Sequence, residues 1–238
     1  GEVFRDHKGR RTLRFVHGAT GYFLKIHPGV RWREILKNLV FLRLPILGAR
    51  HERDAIRRLE KLGVATMTIA GYGERGRNPA KIESFLITEE IENTISLEDL
   101  ANSWQKDPPK PSAKWAIINK IAEIARILHT NGVNHRDFYL CHFLLEARWL
   151  ESQSDDEPEL HVIDLHRTQI REQVPYRWLL KDLAGLYFSC LDTNLTERDL
   201  FRFINQYSQK PLKESLRENA SLWTKVEHKA KSLYAKLS

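Results

Sequence analysis

Cysteine is nearly absent: Cys141 and Cys190 are the only two in 238 residues, and they stand 49 positions apart. That spacing matches no zinc or dithiol motif. It excludes a disulfide scaffold and a cysteine-held metal, and it reads both thiols as small buried hydrophobes in a reducing compartment. No apolar run approaches the roughly 18 residues of a membrane span. The opening string GEVFRDHKGRR is neither a signal nor a transit peptide. Repeats at periods of about 20–50 residues are missing, which excludes solenoids and propellers. With 42% apolar and 29% charged residues the chain is a folded globular protein rather than a disordered tail. At roughly 100–200 residues per domain it has room for one large domain or two small lobes, with a core that needs no metal to form.

Acidic residues are scarce at the front. Residues 1–60 carry 14 Lys/Arg against 6 Asp/Glu, whereas residues 121–180 carry 6 against 10. A basic end and an acidic middle suit an anionic ligand meeting a carboxylate-bearing site. A solvated basic surface is the plain alternative. No nucleic-acid-binding motif accompanies the charge, so nucleic acid is not an expected partner.

The first 26 residues read as a three-stranded meander: Glu2–Arg5, Arg11–Val16 and Tyr22–Ile26. A helix is expected over Trp32–Arg43, with Ile35, Leu36, Leu39 and Val40 apolar, and a second over Ala49–Leu62, stopped by Gly63. Val64–Gly71 and Ser84–Glu89 read as strands, separated by a Gly/Asn/Pro-rich turn over Gly73–Pro79. Beyond residue 88 the pattern becomes helical. Ser96 is a candidate N-cap, Ser112–Asn131 a strong amphipathic helix, Phe143–Leu145 and Leu160–Ile163 short strands around an acidic loop, and the chain from Tyr176 onward helical. Strands followed by helices predict an α+β chain with a domain over residues 1–90 (a five-stranded sheet plus helices) and another over 91–238. The six tryptophans, Trp32, Trp104, Trp115, Trp149, Trp178 and Trp223, mostly read as core or interface anchors.

Three places concentrate chemistry. Asn134-His135-Arg136-Asp137 follows directly on the apolar helix and its Gly132 stop, so titratable side chains are pressed against the core. Asp164 ends the short strand before Leu165-His166-Arg167, 27 residues after Asp137. Two carboxylates joined by a hairpin can divide two tasks, one accepting a proton from a hydroxyl and the other holding Mg²⁺. Lys25 stands in an otherwise apolar strand and needs solvent or an anion. Glu52 is its candidate partner and Glu34 the competitor.

In this order, a strand lysine, a helix glutamate, an HRD loop and a strand-ending aspartate resemble the protein kinase-like superfamily. The strings YFLKIHPG, EILKNLVFLRLPILGA, NHRDFYLCHFLL, VIDLHRTQIR and RWLLKDLAGLYFS narrow the resemblance to the lipopolysaccharide core heptose(I) kinases of the WaaP type. The resemblance implies a bilobal kinase-like fold, with a small β-rich N-lobe and a mostly helical C-lobe. It also implies ATP-dependent phosphorylation of the first heptose of the inner core, in the Gram-negative cytoplasm or peripherally at the inner membrane leaflet. Lys25 would then hold the α- and β-phosphates of ATP and pair with Glu52. Asp137 would accept the proton of the acceptor hydroxyl, Asp164 would ligate Mg²⁺, and backbone groups at Glu90 and Ile91 would read the adenine edge. Asp182 would brace the HRD loop, with His135 and Arg136 in supporting roles. The glycolipid core is the implied acceptor. Acyl carrier protein, small and acidic, is an implied partner that would suit the basic front end.

Departures from the protein kinase pattern are instructive. The first strand–strand turn has one glycine, Gly9, so Lys8, Arg10 and Arg11 would have to meet phosphates by charge. His142 stands five residues after Asp137, where protein kinases carry an asparagine that binds a second Mg²⁺. An imidazole is a poor ligand for that ion, so His142 is a metal candidate with an equally open structural role. No A-P-E segment follows, which fits a glycan acceptor better than a peptide. Trp178, beside Arg177 and Lys181, is a candidate for stacking on sugar. Kinases for Kdo or the second heptose are the nearest alternatives, and a nucleotide-binding pseudokinase is the alternative of another class.

Overall fold

The computed structural model describes residues 2–7, 10–29, 32, 48–76, 78–152 and 157–236. The expected helix Trp32–Arg43 beyond Trp32, Glu34 included, the turn residues Lys8 and Gly9, and the middle of the acidic loop fall outside them. The chain forms two compact units, Gly1–Lys61 with Thr66–Glu92 and Asp164–Thr168, and Leu62–Ala65 with Asn93–Ile163 and Gln169–Ser238.

The first unit is built on an antiparallel five-stranded sheet: β1 (Glu2–His7), β2 (Arg10–His17), β3 (Thr20–His27), β4 (Ile69–Arg75) and β5 (Glu83–Glu89), in spatial order β1-β2-β3-β5-β4. Lys25 lies on the central strand, opposite Thr12 and Leu86. Along β5, Ser84, Leu86 and Thr88 are buried at the period of two that a pleated strand requires. Helix α1 (Arg50–Lys61) buries Glu52, Ala55, Ile56 and Leu59, one stripe at helical spacing, and packs against β4. The Ala49 N–H donates to Ser84 Oγ at 2.9 Å, fastening the start of α1 to the sheet.

β4 corrects the sequence reading. The strand starts at Ile69 rather than Val64 and runs to Arg75 through the expected turn. Ala65 instead accepts the Val162 N–H, which takes this stretch off the ladder. A Cβ on Gly73 would stand 2.3 Å from the Phe85 ring, so this glycine makes room for a cross-strand aromatic and is no turn signal. The reversal comes later, at Gly76 (φ +107°) and a 3₁₀ turn at Pro79–Lys81 capped by the Asn78 side chain.

The second unit is mainly helical. A three-stranded sheet, β6 (Thr94–Ser96), β8 (Phe143–Glu146) and β9 (Leu160–Val162), and a pair, β7 (Val133–Asn134) with β10 (Gln169–Ile170), sit among α2 (Leu97–Ser103), α3 (Pro111–Thr130), α4 (Ala147–Ser152), α5 (Tyr176–Phe188), α6 (Glu197–Ser208), α7 (Leu212–Glu218) and α8 (Ala220–Tyr234). Ser96 caps α2 by accepting the Asp99 N–H, as its sequence position indicates. α3 begins at Pro111, where a missing N–H costs nothing, and buries Ile117, Ile121, Ile124, Ala125 and Leu128. α3 packs on α6 and α5 on α8. Phe138 and Phe143 meet edge to face, 5.0 Å between ring centres, in the middle of the unit. Of the six tryptophans, Trp104, Trp149, Trp178 and Trp223 are half-buried, whereas Trp115 keeps 42% of its surface exposed, with Arg202 over its ring. Neither Cys141 nor Cys190 is in a disulfide; burial pushes the Cys190 thiol up to about 12.

Gly132 ends α3 with φ +75°, and a Cβ there would lie 1.8 Å from the Arg171 carbonyl oxygen. That carbonyl is backbone and cannot swing aside. Gly132→Ala should therefore destabilise the protein by about 2–4 kcal/mol, combining left-handed strain with an overpacked contact. Urea unfolding reads this directly, and a wild-type midpoint would refute the steric argument.

Candidate active site

The first unit gathers Lys25, Glu52 and Asp164. Nζ of Lys25 donates to Glu52 Oε1 at 2.5 Å and stands 3.8 Å from Asp164 Oδ1. Glu52 is 1% exposed. A carboxylate so buried requires a cation, and the central strand delivers one from across the sheet. The Lys25 ammonium is pulled in two directions: burial is the largest influence and would lower it, but Glu52 and then Asp164 outweigh burial and hold it above its ordinary value. Lys25 therefore stays charged at neutral pH. The stability it lends is complete below the ordinary lysine value and is lost only as pH rises through the raised one.

Asp164 has left-handed backbone (φ 58°), and the 3₁₀ turn that follows, Leu165–Arg167, packs against α1, the helix that carries Glu52. Its Oδ1 shares a 2.6 Å hydrogen bond with His166 Nδ1. His166 is a neighbour that the sequence reading named only as part of the strand end. Its spacing of two from Asp164 was the available signal.

Glu90 and Ile91 close this unit. The Glu90 N–H donates to the Gly21 carbonyl at 2.9 Å, extending the β3–β5 ladder by one residue. That N–H is therefore spent within the sheet. The Glu90 carboxylate binds Arg14 through both oxygens, at 2.9 and 3.0 Å from Nε. Ile91 follows, half-buried, outside any strand.

The second unit holds the His135-Arg136-Asp137 loop. It leaves β7 and is gripped by Asp182 of α5, whose carboxylate accepts the N–H groups of His135 (2.6 Å) and Arg136 (2.8 Å). Asp182 is 1% exposed and has His129 Nε2 at 3.6 Å. His129 Nδ1 in turn shares a 2.8 Å hydrogen bond with the Tyr207 hydroxyl, whose proton is held tightly, first by burial and then by Asp182. His135 bonds the Ile163 carbonyl through Nε2 and stacks on His142, their ring centres 5.7 Å apart. Arg136 takes φ +75°, a conformation that costs a non-glycine residue roughly 1–3 kcal/mol unless its surroundings enforce it. Lys181, which the sequence reading noted only beside Trp178, donates from Nζ to the Arg136 carbonyl at 2.5 Å and lies 3.8 Å from Asp137 Oδ1. Its adjacency to Asp182 was the signal.

His142 Nδ1 bonds the Asp137 backbone carbonyl at 2.7 Å. That contact locks the loop and weighs against the ring as a second metal ligand, since nitrogen already suits Mg²⁺ poorly. Among the described residues no group of three or more His, Cys, Asp or Glu forms a metal cage. The carboxylate of Asp164 is a different matter: it offers the hard oxygen that Mg²⁺ prefers and fits an ion that takes its remaining ligands from phosphates and water. The ring of Trp178 is surrounded by cations of its own chain, Arg136 at 4.9 Å, Arg177 at 5.2 Å and Lys181 at 5.8 Å.

A strand lysine tied to a helix glutamate in a β-rich unit, and an HRD loop bonded to a helix aspartate in a helical one, make this a protein kinase-like phosphotransferase fold. Residues 1–207 match the Lipopolysaccharide kinase (Kdo/WaaP) family, and the chain belongs to it. It is 50% identical over 234 residues to the lipopolysaccharide core heptose(I) kinase WaaP of Pseudomonas aeruginosa, a match that covers 98% of this chain and 87% of the relative. With the enzyme of the same name from Escherichia coli K12 it shares 47% over 233 residues, 98% of this chain and 87% of the relative. A solved structure described as WaaP in complex with acyl carrier protein superposes with a TM-score of 0.82 at 45% identity, covering 98% of this chain and 89% of that one. As a family member the chain is an ATP-dependent phosphotransferase of lipopolysaccharide synthesis.

The Lys25–Glu52 pair gives a direct test. Lys25→Met leaves a buried carboxylate without its cation and should cost about 2–4 kcal/mol, somewhat less than a fully buried pair because Lys25 reaches solvent. The urea midpoint should fall accordingly. If K25M unfolds at the wild-type midpoint, Glu52 has another counterion.

Proposed function

We propose that this protein transfers the γ-phosphoryl group of ATP to a hydroxyl of the first heptose of the lipopolysaccharide inner core. The observation that carries the reading is the buried Lys25–Glu52 pair with Asp164 beside it, a cationic anchor for phosphates next to a carboxylate for a metal. The acceptor follows from the names of relatives that are about half identical over nearly the whole chain.

In this reading Lys25 binds the α- and β-phosphates, and Glu52 fixes its direction. Asp164 holds Mg²⁺, which when bound neutralises charge on the β- and γ-phosphate oxygens. Asp137 orients the heptose hydroxyl and takes its proton as that oxygen bonds to the γ-phosphorus. The bond from the γ-phosphorus to the bridging oxygen breaks and ADP leaves. Catalysis of this kind is mainly positioning and charge neutralisation. Among the described residues no helix is long and apolar enough to cross a membrane. Work at the cytoplasmic face of the inner membrane, where ATP is available, fits that observation and the family.

Asp137→Ala should lower transfer of labelled γ-phosphate to dephosphorylated core about 10²–10⁴-fold, the usual share of a general base. Asp164→Ala should lower it at least as far, with its defect appearing as weakened Mg²⁺ affinity in a metal titration. Near wild-type turnover by D137A would overturn the mechanism.

A second reading concerns a protein partner. We propose that the chain also binds acyl carrier protein, as its solved relative does by title. The second unit contains a cavity of about 1020 Å³ with apolar walls that include Leu97, Ile118, Leu183, Phe203 and Trp223, and with exposed Arg198 in its lining. Such walls suit an acyl chain, and such a cation suits an acidic carrier. Acylated carrier protein should raise the melting temperature of the purified chain, whereas the unacylated carrier should raise it less. Equal or absent shifts would rule the cavity out as the acyl site.

A further inference from the structure

Two neighbouring residues of α5 grip the HRD loop with opposite polarity. The Asp182 carboxylate accepts the N–H of Arg136, and the Lys181 ammonium donates to the carbonyl of the same residue. Arg136 is thus held on both sides of its Cα, at the one residue of the loop with left-handed backbone, φ +75°. The next residue is Asp137, whose carboxylate lies 3.8 Å from the same ammonium. The Trp178 ring, 5.8 Å from Nζ, borders the ammonium on another side.

We propose that Lys181 is a positioning residue of the phosphoryl transfer. With Asp182 it clamps Arg136 in its strained conformation and thereby aims the Asp137 carboxylate. Its ammonium also screens that carboxylate from the negative charge of an approaching phosphoryl group. Lysine suits both tasks, being a compact point charge with three donors on a flexible stem. Without it, two anions would have to approach one another uncompensated, at a cost that grows as water is excluded. The proposal rests on the reading of Asp137 as the base, so its test includes one readout that needs no acceptor.

Lys181→Met should lower kcat about 10- to 100-fold, as a displaced catalytic group does, while KM for ATP changes little. Lys181→Arg, which keeps charge and donors, should recover most of the loss. In the D137N background K181M should have no further effect, because a residue acting through Asp137 loses its influence with it. A merely structural role would make the two losses additive. Amide hydrogen exchange over residues 135–139 should be faster in K181M than in wild type and K181R, with or without any glycan. Additive losses, or an unchanged kcat in K181M, would overturn the role in transfer. Unchanged loop exchange would overturn the clamp. If the wild-type protein phosphorylates no heptose acceptor yet exchange quickens in K181M, the acceptor reading fails and the clamp stands.

Discussion

The buried carboxylate of Asp182 is the constraint on which the second unit is arranged. A carboxylate that is 1% exposed needs hydrogen-bond donors in place of water, and here two backbone N–H groups supply them, one to each oxygen. Those groups belong to consecutive residues of the HRD loop, so satisfying the charge fixes the loop's path. His129 and Tyr207 extend the polar chain behind it. Polarity in the core is thus organised around one helix residue, and the surrounding apolar side chains of α3, α5 and β8 exclude the water that would otherwise compete.

The first unit solves a parallel problem with a different pair. Glu52 is buried because α1 must bury that face to cover its sheet, and Lys25 reaches it from the central strand. A salt bridge of this kind adds little net stability over an apolar pair but is costly to break. Its value lies in direction: it fixes an ammonium beside Asp164, which under the proposed function meets the phosphates of ATP. A glycine-rich phosphate loop is missing from the sequence, and under the proposed function the work of holding anions falls to such fixed side-chain charges.

His142 illustrates how a substitution in a familiar pattern changes more than one contact. An asparagine amide could give oxygen to a metal. The imidazole instead bonds the Asp137 carbonyl and stacks on His135. The loop gains a rigid inner wall and loses a hard ligand.

Much was legible from residue order alone. Four of the five strands, α1, the Ser96 cap, the α3 face and the positions of Lys25, Glu52, Asp137 and Asp164 follow from periodicity, capping chemistry and motif spacing, because these are local properties or family signatures. Gly73 was misread as a turn since its reason, the Phe85 ring, comes from across the ladder. The Gly21 carbonyl that takes the Glu90 N–H, and the carbonyl and carboxylate that Lys181 faces, were likewise beyond local reading. Sequence by itself determined which residue types stand in which order, and so the kinase-like class and its chemistry. Only the tertiary structure decided which donor meets which acceptor, because hydrogen bonds and ion pairs reach a few ångströms in space, between residues that can lie tens of positions apart in the chain.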